Sequence, residues 1–223
     1  MPAPSKASAP SRAPAPTSAP TRLTFDLAAT IRHDGHGGVA DDLDTPEGLS
    51  AWVRDRAELL PDGLVARRYR ADAAALDRVR ALRAAVRALF AHAVLPGAPS
   101  PADARRLLPL ADAVTRLNDA AAKVLTVPVL SWPDGSGPLA RDEPVPDAGH
   151  ASPAHRADLL DAALARAAQA FIAGPDRQRL RACHAPRCVR YFLKEHPRQE
   201  WCKPSCGNRA RVARHHERAR GPA

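Results

Sequence analysis

Large aromatic side chains are scarce in this 223-residue chain, where phenylalanine, tryptophan and tyrosine together make up 4%. So few of them argue against a broad β-sandwich core, and the Ala-, Leu- and Arg-rich remainder favours helices. No run of 18 apolar residues is present to span a bilayer, and no charged-then-apolar leader opens the sequence. These two absences predict a cytoplasmic protein with no membrane partner. Cysteine is missing until position 183, so everything before it lacks disulfides, thiolate metal sites and a cysteine nucleophile. Neither Gly-x-Ser-x-Gly nor His-Glu-x-x-His occurs, and the isolated carboxylates and histidines form no acid/base constellation. The chain is therefore expected not to be an enzyme.

Acidic residues are nearly missing from one stretch. Between Arg177 and Arg220 there are 13 Lys or Arg against Glu195, Glu200 and Glu217, whereas the preceding 176 residues carry 20 basic and 21 acidic groups. The net charge of +9 is thus concentrated in the last fifth of the chain, where it can form a local anion-binding surface.

What is present divides the chain into three. Residues 1–22 hold six prolines and no acid, too little apolar surface to offset the entropy of ordering, and read as a disordered tail. Residues 23–175 read as one helix-rich domain with a minor β component. Residues 23–31 suit a buried strand or a short helix, followed by a glycine-rich turn whose His33 and His36 lack a partner pair at ligand spacing. Thr45-Pro46-Glu47 starts a helix that should stop near Pro61. A longer helix from about Ala71 to Leu95 carries Leu76, Val79, Leu82, Val86, Leu89 and Phe90 at steps of three and four. Arg78, Arg80, Arg83 and Arg87 fall off that stripe and read as a solvated face. Ser100-Pro101-Ala102-Asp103 resembles another helix start, broken or kinked at Pro109. Residues 126–132 form an edge strand, 133–149 a loop, and Ser152-Pro153 opens a last helix that Gly174-Pro175 ends.

The third part, residues 176–220, contains every cysteine in the pattern Cys183-x4-Cys188-x13-Cys202-x3-Cys206. Two close pairs separated by a loop can set four thiolates around one tetrahedral zinc ion, and in a reducing compartment such clusters bind metal rather than forming disulfides. Four protein ligands leave no open position for water, so the site should be structural. Residues 189–193 have strand composition and lead through His196-Pro197 back to Cys202, which fits a metal-stapled hairpin. His184 and His196 could compete as ligands, but four cysteines already fill the shell. Beyond Cys206 the residues favour a helix with Arg211, Arg214, His215 and Arg218 on one side, suited to phosphate contacts or groove insertion.

The run Trp201-Cys202-Lys203-Pro204-Ser205-Cys206-Gly207-Asn208-Arg209, preceded by Cys183, Cys188 and Tyr191-Phe192, resembles the CGNR zinc finger. That domain closes bacterial proteins whose N-terminal part is the ABATE domain, described as a stress-induced transcription regulator. Residues 25–30 (FDLAAT), 42–46 (DLDTP), Leu49, Ala51 and Trp52 are similar to that domain's opening. The resemblance implies zinc as cofactor, Cys183, Cys188, Cys202 and Cys206 as its ligands, and DNA as partner. Trp201, Gly207 and Asn208 would be structural elements of the motif. Gly207 could take a positive φ after the last ligand. Asn208 could bond backbone near the helix start, and Arg209 could reach a phosphate or Glu200; for both, structural and binding roles stay open.

The expected fold is α+β: a mainly helical N-terminal domain, then a small zinc-stapled β-hairpin plus helix. The expected function is DNA-binding transcription regulation, with Arg209, Arg211, Arg214 and Arg218 contacting nucleic acid. The N-terminal domain would sense a signal, with room for a small-molecule ligand, or form a homodimer. The competing reading is a protein-interaction module whose zinc finger docks on a transcription-machinery partner.

Overall fold

The computed structural model describes residues 17–34, 36, 38–103, 107–145 and 152–220. Residues 1–16 of the expected tail lie outside them. The rest of that tail does not extend as far as residue 22, because helix α1 (Ala19–Ala28) begins inside it. Ser18 caps α1 by accepting the Thr21 amide at 3.4 Å, and Leu23, Thr24 and Leu27 are buried. The apolar opening is thus helix, not strand.

A short antiparallel hairpin follows, β1 (Ile31–His33) with β2 (Val39–Asp41), its loop tied by Asp34 Oδ1, which accepts the amides of His36 and Gly38 at 2.7 and 2.9 Å. Helix α2 (Pro46–Arg54) starts as its residues require, with Thr45 Oγ1 accepting the Gly48 amide at 3.1 Å. It stops at Arg54, short of Pro61, and three 3-10 turns carry the chain on so that Leu60 and Leu64 enter the core.

Helix α3 (Ala73–Ala93) is capped by Asp72. The expected helix start at Ser100 is instead a turn through residue 103, with residues 104–106 outside the described set, and α4 (Leu110–Ala122) begins directly behind Pro109. Pro109 does not kink a helix; it precedes one, where its missing amide hydrogen costs nothing. Strand β3 (Thr126–Ser131) pairs with β4 (Leu139–Pro144), which occupies much of the stretch read as loop. Helix α5 (Pro153–Ala173) is capped by Ser152, which accepts the His155 amide at 3.0 Å, and stops at Gly174.

Helices α1, α3, α4 and α5 enclose the main core. Phe25, Phe90 and Phe171 meet there with ring centroids 5.1 to 5.3 Å apart, contacts worth about 0.5–1.5 kcal/mol each beyond their burial. The fourth ring in the cluster, Tyr191, belongs to the cysteine-rich part and lies 5.3 Å from Phe90.

That part opens with a 3-10 turn (Pro175–Arg179) and strand β5 (Leu180–Ala182), which pairs antiparallel with β6 (Tyr191–Leu193). The hairpin differs from the expected one: the partner of residues 191–193 precedes the first cysteine and does not follow the loop. Its physical reason is the core, because Leu180, Ala182 and Tyr191 all pack into the main apolar cluster. Helix α6 (Pro204–Arg220) ends the described chain. No helix among the described residues is long and apolar enough to cross a membrane.

The arginines of α3 correct the sequence reading most clearly. Arg83 and Arg87 are 7% and 5% exposed, not solvated. The β1–β2 hairpin and the turn at 100–103 cover this side of α3 and supply partners. Asp41 takes Arg83 at both terminal nitrogens, at 2.6 Å on Oδ2, and Asp103 Oδ1 accepts Arg87 Nε at 2.7 Å.

Candidate metal centre

The four sulfurs are brought together by three pieces of chain. The end of β5 runs directly into Cys183, a tight knuckle returns at Cys188, Cys202 lies just before α6, and Cys206 in its first turn. The knuckle is closed by the Cys188 amide on the Ala185 carbonyl and by the Cys183 amide on the Arg190 carbonyl, both at 2.9 Å. Arg187 turns it with φ at 62°, a left-handed conformation unusual for a side-chain-bearing residue. Pro204 is the first residue of α6, a position that needs no amide donor. The helix N-terminus also directs partial positive charge at the nearby thiolates.

All four ligand sulfurs lie within 4.8 Å of one another, with Cys188 to Cys202 at 3.7 Å and Cys202 to Cys206 at 3.5 Å. Zinc–thiolate bonds of about 2.3 Å in a tetrahedron place sulfurs about 3.8 Å apart, so the donor set fits zinc in number, softness and spacing. This is the one such cluster among the described residues, and His184 and His196 are exposed outside it. Without a cation the thiols cannot all ionise. Hydrogen bonds from Cys188 and Cys202 pull Cys183 down, while the shared contacts with Cys183 and burial push Cys188 and Cys202 up. A divalent cation removes that conflict by favouring the thiolate at every position.

The motif residues find specific places around this cluster. Trp201 lies against Gly207, where an added Cβ would meet its Cδ1 at 3.0 Å. The glycine is therefore needed for the indole's close approach; it sits inside α6, and the positive φ proposed for it is not seen. Arg209 Nη2 donates to Cys206 Sγ at 3.1 Å, and its Nε is buried without a partner. Four thiolates around one Zn²⁺ carry two surplus negative charges, and the Arg209 guanidinium offsets one of them. Asn208 is exposed and its side-chain oxygen accepts from Arg211 Nη2. Arg211, Arg214, His215 and Arg218 are exposed on α6.

Sequence reasoning missed a second polar group that ties this module to the helical domain. Val189, next to Cys188, presents its carbonyl to Ser100 Oγ at 2.9 Å and to Arg87 Nη2 at 3.2 Å. Tyr191 donates its hydroxyl hydrogen to Asp103 Oδ2 at 2.7 Å and accepts the Ser100 amide at 3.2 Å. Burial and the neighbouring Asp103 charge raise the Tyr191 phenol well above its ordinary value, so it stays a donor. The available signal was the spacing of Arg80, Arg83 and Arg87, which itself recurs every three or four residues and so marks a second covered face.

Comparison with known families agrees with this architecture. Residues 21–175 match the ABATE family, described as "Putative stress-induced transcription regulator", and residues 179–219 match the CGNR zinc finger. No similar protein was found among the curated ones. A match over more than half of the chain, followed by a second one that contains the converging cysteines, shows that this protein belongs to the ABATE family and ends in a zinc-binding CGNR finger.

Proposed function

We propose that this zinc-binding regulator acts by holding DNA through α6, while the helical domain senses a signal or joins a second copy. The observation that carries the reading is the state of Arg211, Arg214 and Arg218. They are exposed on one helix, with no acidic partner among the described side chains, while the arginines of the helical domain's core face are paired. The Arg209–Cys206 contact and the buried Ala210 hold the first half of α6, while Arg211, Arg214, His215 and Arg218 beyond them are exposed. Cations presented this way are free to displace counterions from phosphates, which makes affinity fall steeply with salt. Both matched families are a regulator and a zinc finger, not enzymes.

The test is fluorescence-anisotropy titration of zinc-quantified protein against random duplex DNA at two salt concentrations, alongside an Arg211/Arg214/Arg218 triple-alanine variant. Binding should weaken with salt, and the variant should lose about three units of salt slope. Absence of binding by the zinc-loaded protein at low salt would discard direct DNA contact and favour a finger that docks on another protein.

A further inference from the structure

The strained turn of the zinc knuckle has a cause that the metal does not supply. The chain reverses over Ala185-Pro186-Arg187-Cys188, closed by the Cys188 amide on the Ala185 carbonyl at 2.9 Å. Pro186 suits the second position of such a turn, since its ring presets the φ needed there. The third position is Arg187, held at φ 62°. Glycine adopts that left-handed conformation without penalty, whereas any other L-residue sets its Cβ against the following carbonyl. Metal binding by the adjacent Cys188 needs only the backbone path, and glycine would provide it at lower energy.

No contact inside the protein accounts for the arginine. Its side chain is exposed and makes no hydrogen bond or ion pair among the described residues. The surrounding sequence is free of acid: residues 177–194 hold six Lys or Arg and neither Asp nor Glu. A long cation kept at a position that favours glycine, and open to water, answers an external anion. Its place in the fold narrows which anion. Arg187 precedes Cys188, whose Sγ lies 3.7 Å from that of Cys202, and Cys202 Sγ lies 3.5 Å from that of Cys206 in the first turn of α6. The cysteine cluster therefore joins the knuckle and α6 into one small unit with exposed cations on both.

We propose that Arg187 is a second phosphate contact of the finger, binding the backbone of the same DNA duplex that α6 holds. The assignment rests on the reading of α6 as the DNA-contacting helix and extends it to a separate segment of chain. The turn is short and braced by Pro186, so the guanidinium is presented from a fixed backbone and less freedom is lost on binding. A contact to phosphate positions the finger on the duplex and carries no sequence information.

Anisotropy titrations of the full, zinc-loaded chain against random duplex DNA over a range of salt test it, comparing wild type, Arg187→Gly, Arg187→Lys and the Arg211/Arg214/Arg218 triple-alanine variant. Arg187→Gly should weaken binding about tenfold, the effect of one lost charge-assisted contact, and lower the salt slope by about one. Its zinc affinity, measured by chelator competition, should equal or exceed that of wild type, because glycine relieves the turn. Arg187→Lys, as strained as wild type but still charged, should keep the salt slope. Unchanged DNA affinity and slope in Arg187→Gly would overturn the assignment. So would a fall in that variant's zinc affinity, which would make Arg187 part of the knuckle's own structure. Equal loss of slope in Arg187→Lys and Arg187→Gly would also overturn it, since charge would then not be what the position supplies. The two readings fail separately. DNA binding that depends on the α6 arginines but is indifferent to Arg187 refutes only the second contact, whereas a zinc-loaded wild type that binds no DNA at low salt refutes both.

Discussion

Along α3, Arg87 spends Nε on Asp103, Nη1 on the Ala28 carbonyl, and Nη2 on Ser100 and the Val189 carbonyl, all inside the protein. Along α6, Arg214 and Arg218 are exposed with no such partners among the described side chains, and Arg211 reaches only the neighbouring Asn208. The same side chain at the same helical spacing therefore serves two ends. Where a hairpin and a turn fold over the helix, arginine becomes an internal cross-link whose burial is tolerable only because every charge is matched. Where nothing folds over it, arginine remains an open donor for an external anion. The two helices also differ in what holds them: α3 is held by the apolar core, and α6 by a metal cluster with a small apolar shell of Ala185, Phe192 and Trp201.

The most direct way to break that comparison is to remove the metal. Chelation should release α6 and the knuckle while leaving α3 and its ion pairs in place. Far-UV circular dichroism should lose helix equivalent to about the 17 residues of α6, and hydrogen exchange should quicken over residues 183–220 and not over 73–93. Loss of the whole fold on chelation would show that the two parts are not separately held.

Next in size is the internal pair. Arg87→Met strands the buried Asp103 carboxylate, which should cost about 3–5 kcal/mol in chemical denaturation. The double replacement Arg87→Met with Asp103→Leu should recover part of that loss, since no unpaired charge is then left inside. Acid gives a smaller effect on the same face. Burial works against the Asp41 carboxylate, but the hydrogen bonds from Arg83 and the Leu43 amide and the charges of Arg83 and Arg80 outweigh it and hold its pKa below the ordinary value. A lowered carboxylate stabilises the folded state above the unfolded value of about 4 and loses that contribution as pH falls through the folded value. Stability measured against pH should therefore decline below about pH 4, less so in Asp41→Asn. The smallest effect belongs to α6: alanine at Arg211, Arg214 and Arg218 should change the unfolding free energy by no more than about 0.5 kcal/mol each, since exposed arginines without partners do little for the fold. A large destabilisation there would mean that these arginines also have structural contacts.

The metal ligands were legible because cysteine occurs nowhere else, and a cluster of four thiols has few chemical alternatives. Two helix starts were legible for the same kind of local reason: Thr45 and Ser152 cap the helices they precede, with Pro46 and Pro153 in the first turns, whereas Pro109, read as a break, turned out to precede α4. Strand β4 was not, because residues 139–144 become a strand only by pairing with 126–131, and nothing in LARDEP announces that partner. The role of Gly207 was misjudged since a glycine can answer either a backbone angle or a neighbour's close approach, and only coordinates show Trp201 against it.

By itself, then, the sequence determined the helical class, the caps at Thr45 and Ser152, the four clustered cysteines, the concentration of positive charge in the last fifth of the chain and the family resemblance, all properties carried by residue type and short spacing. The tertiary structure alone decided which arginines are buried and which are exposed, and that Tyr191 and Val189 join the finger to the helical core. Those outcomes depend on contacts between residues tens of positions apart, such as Arg87 with Val189 and Ser100 with Tyr191. Periodicity along a chain can say that a face is covered, but not what covers it.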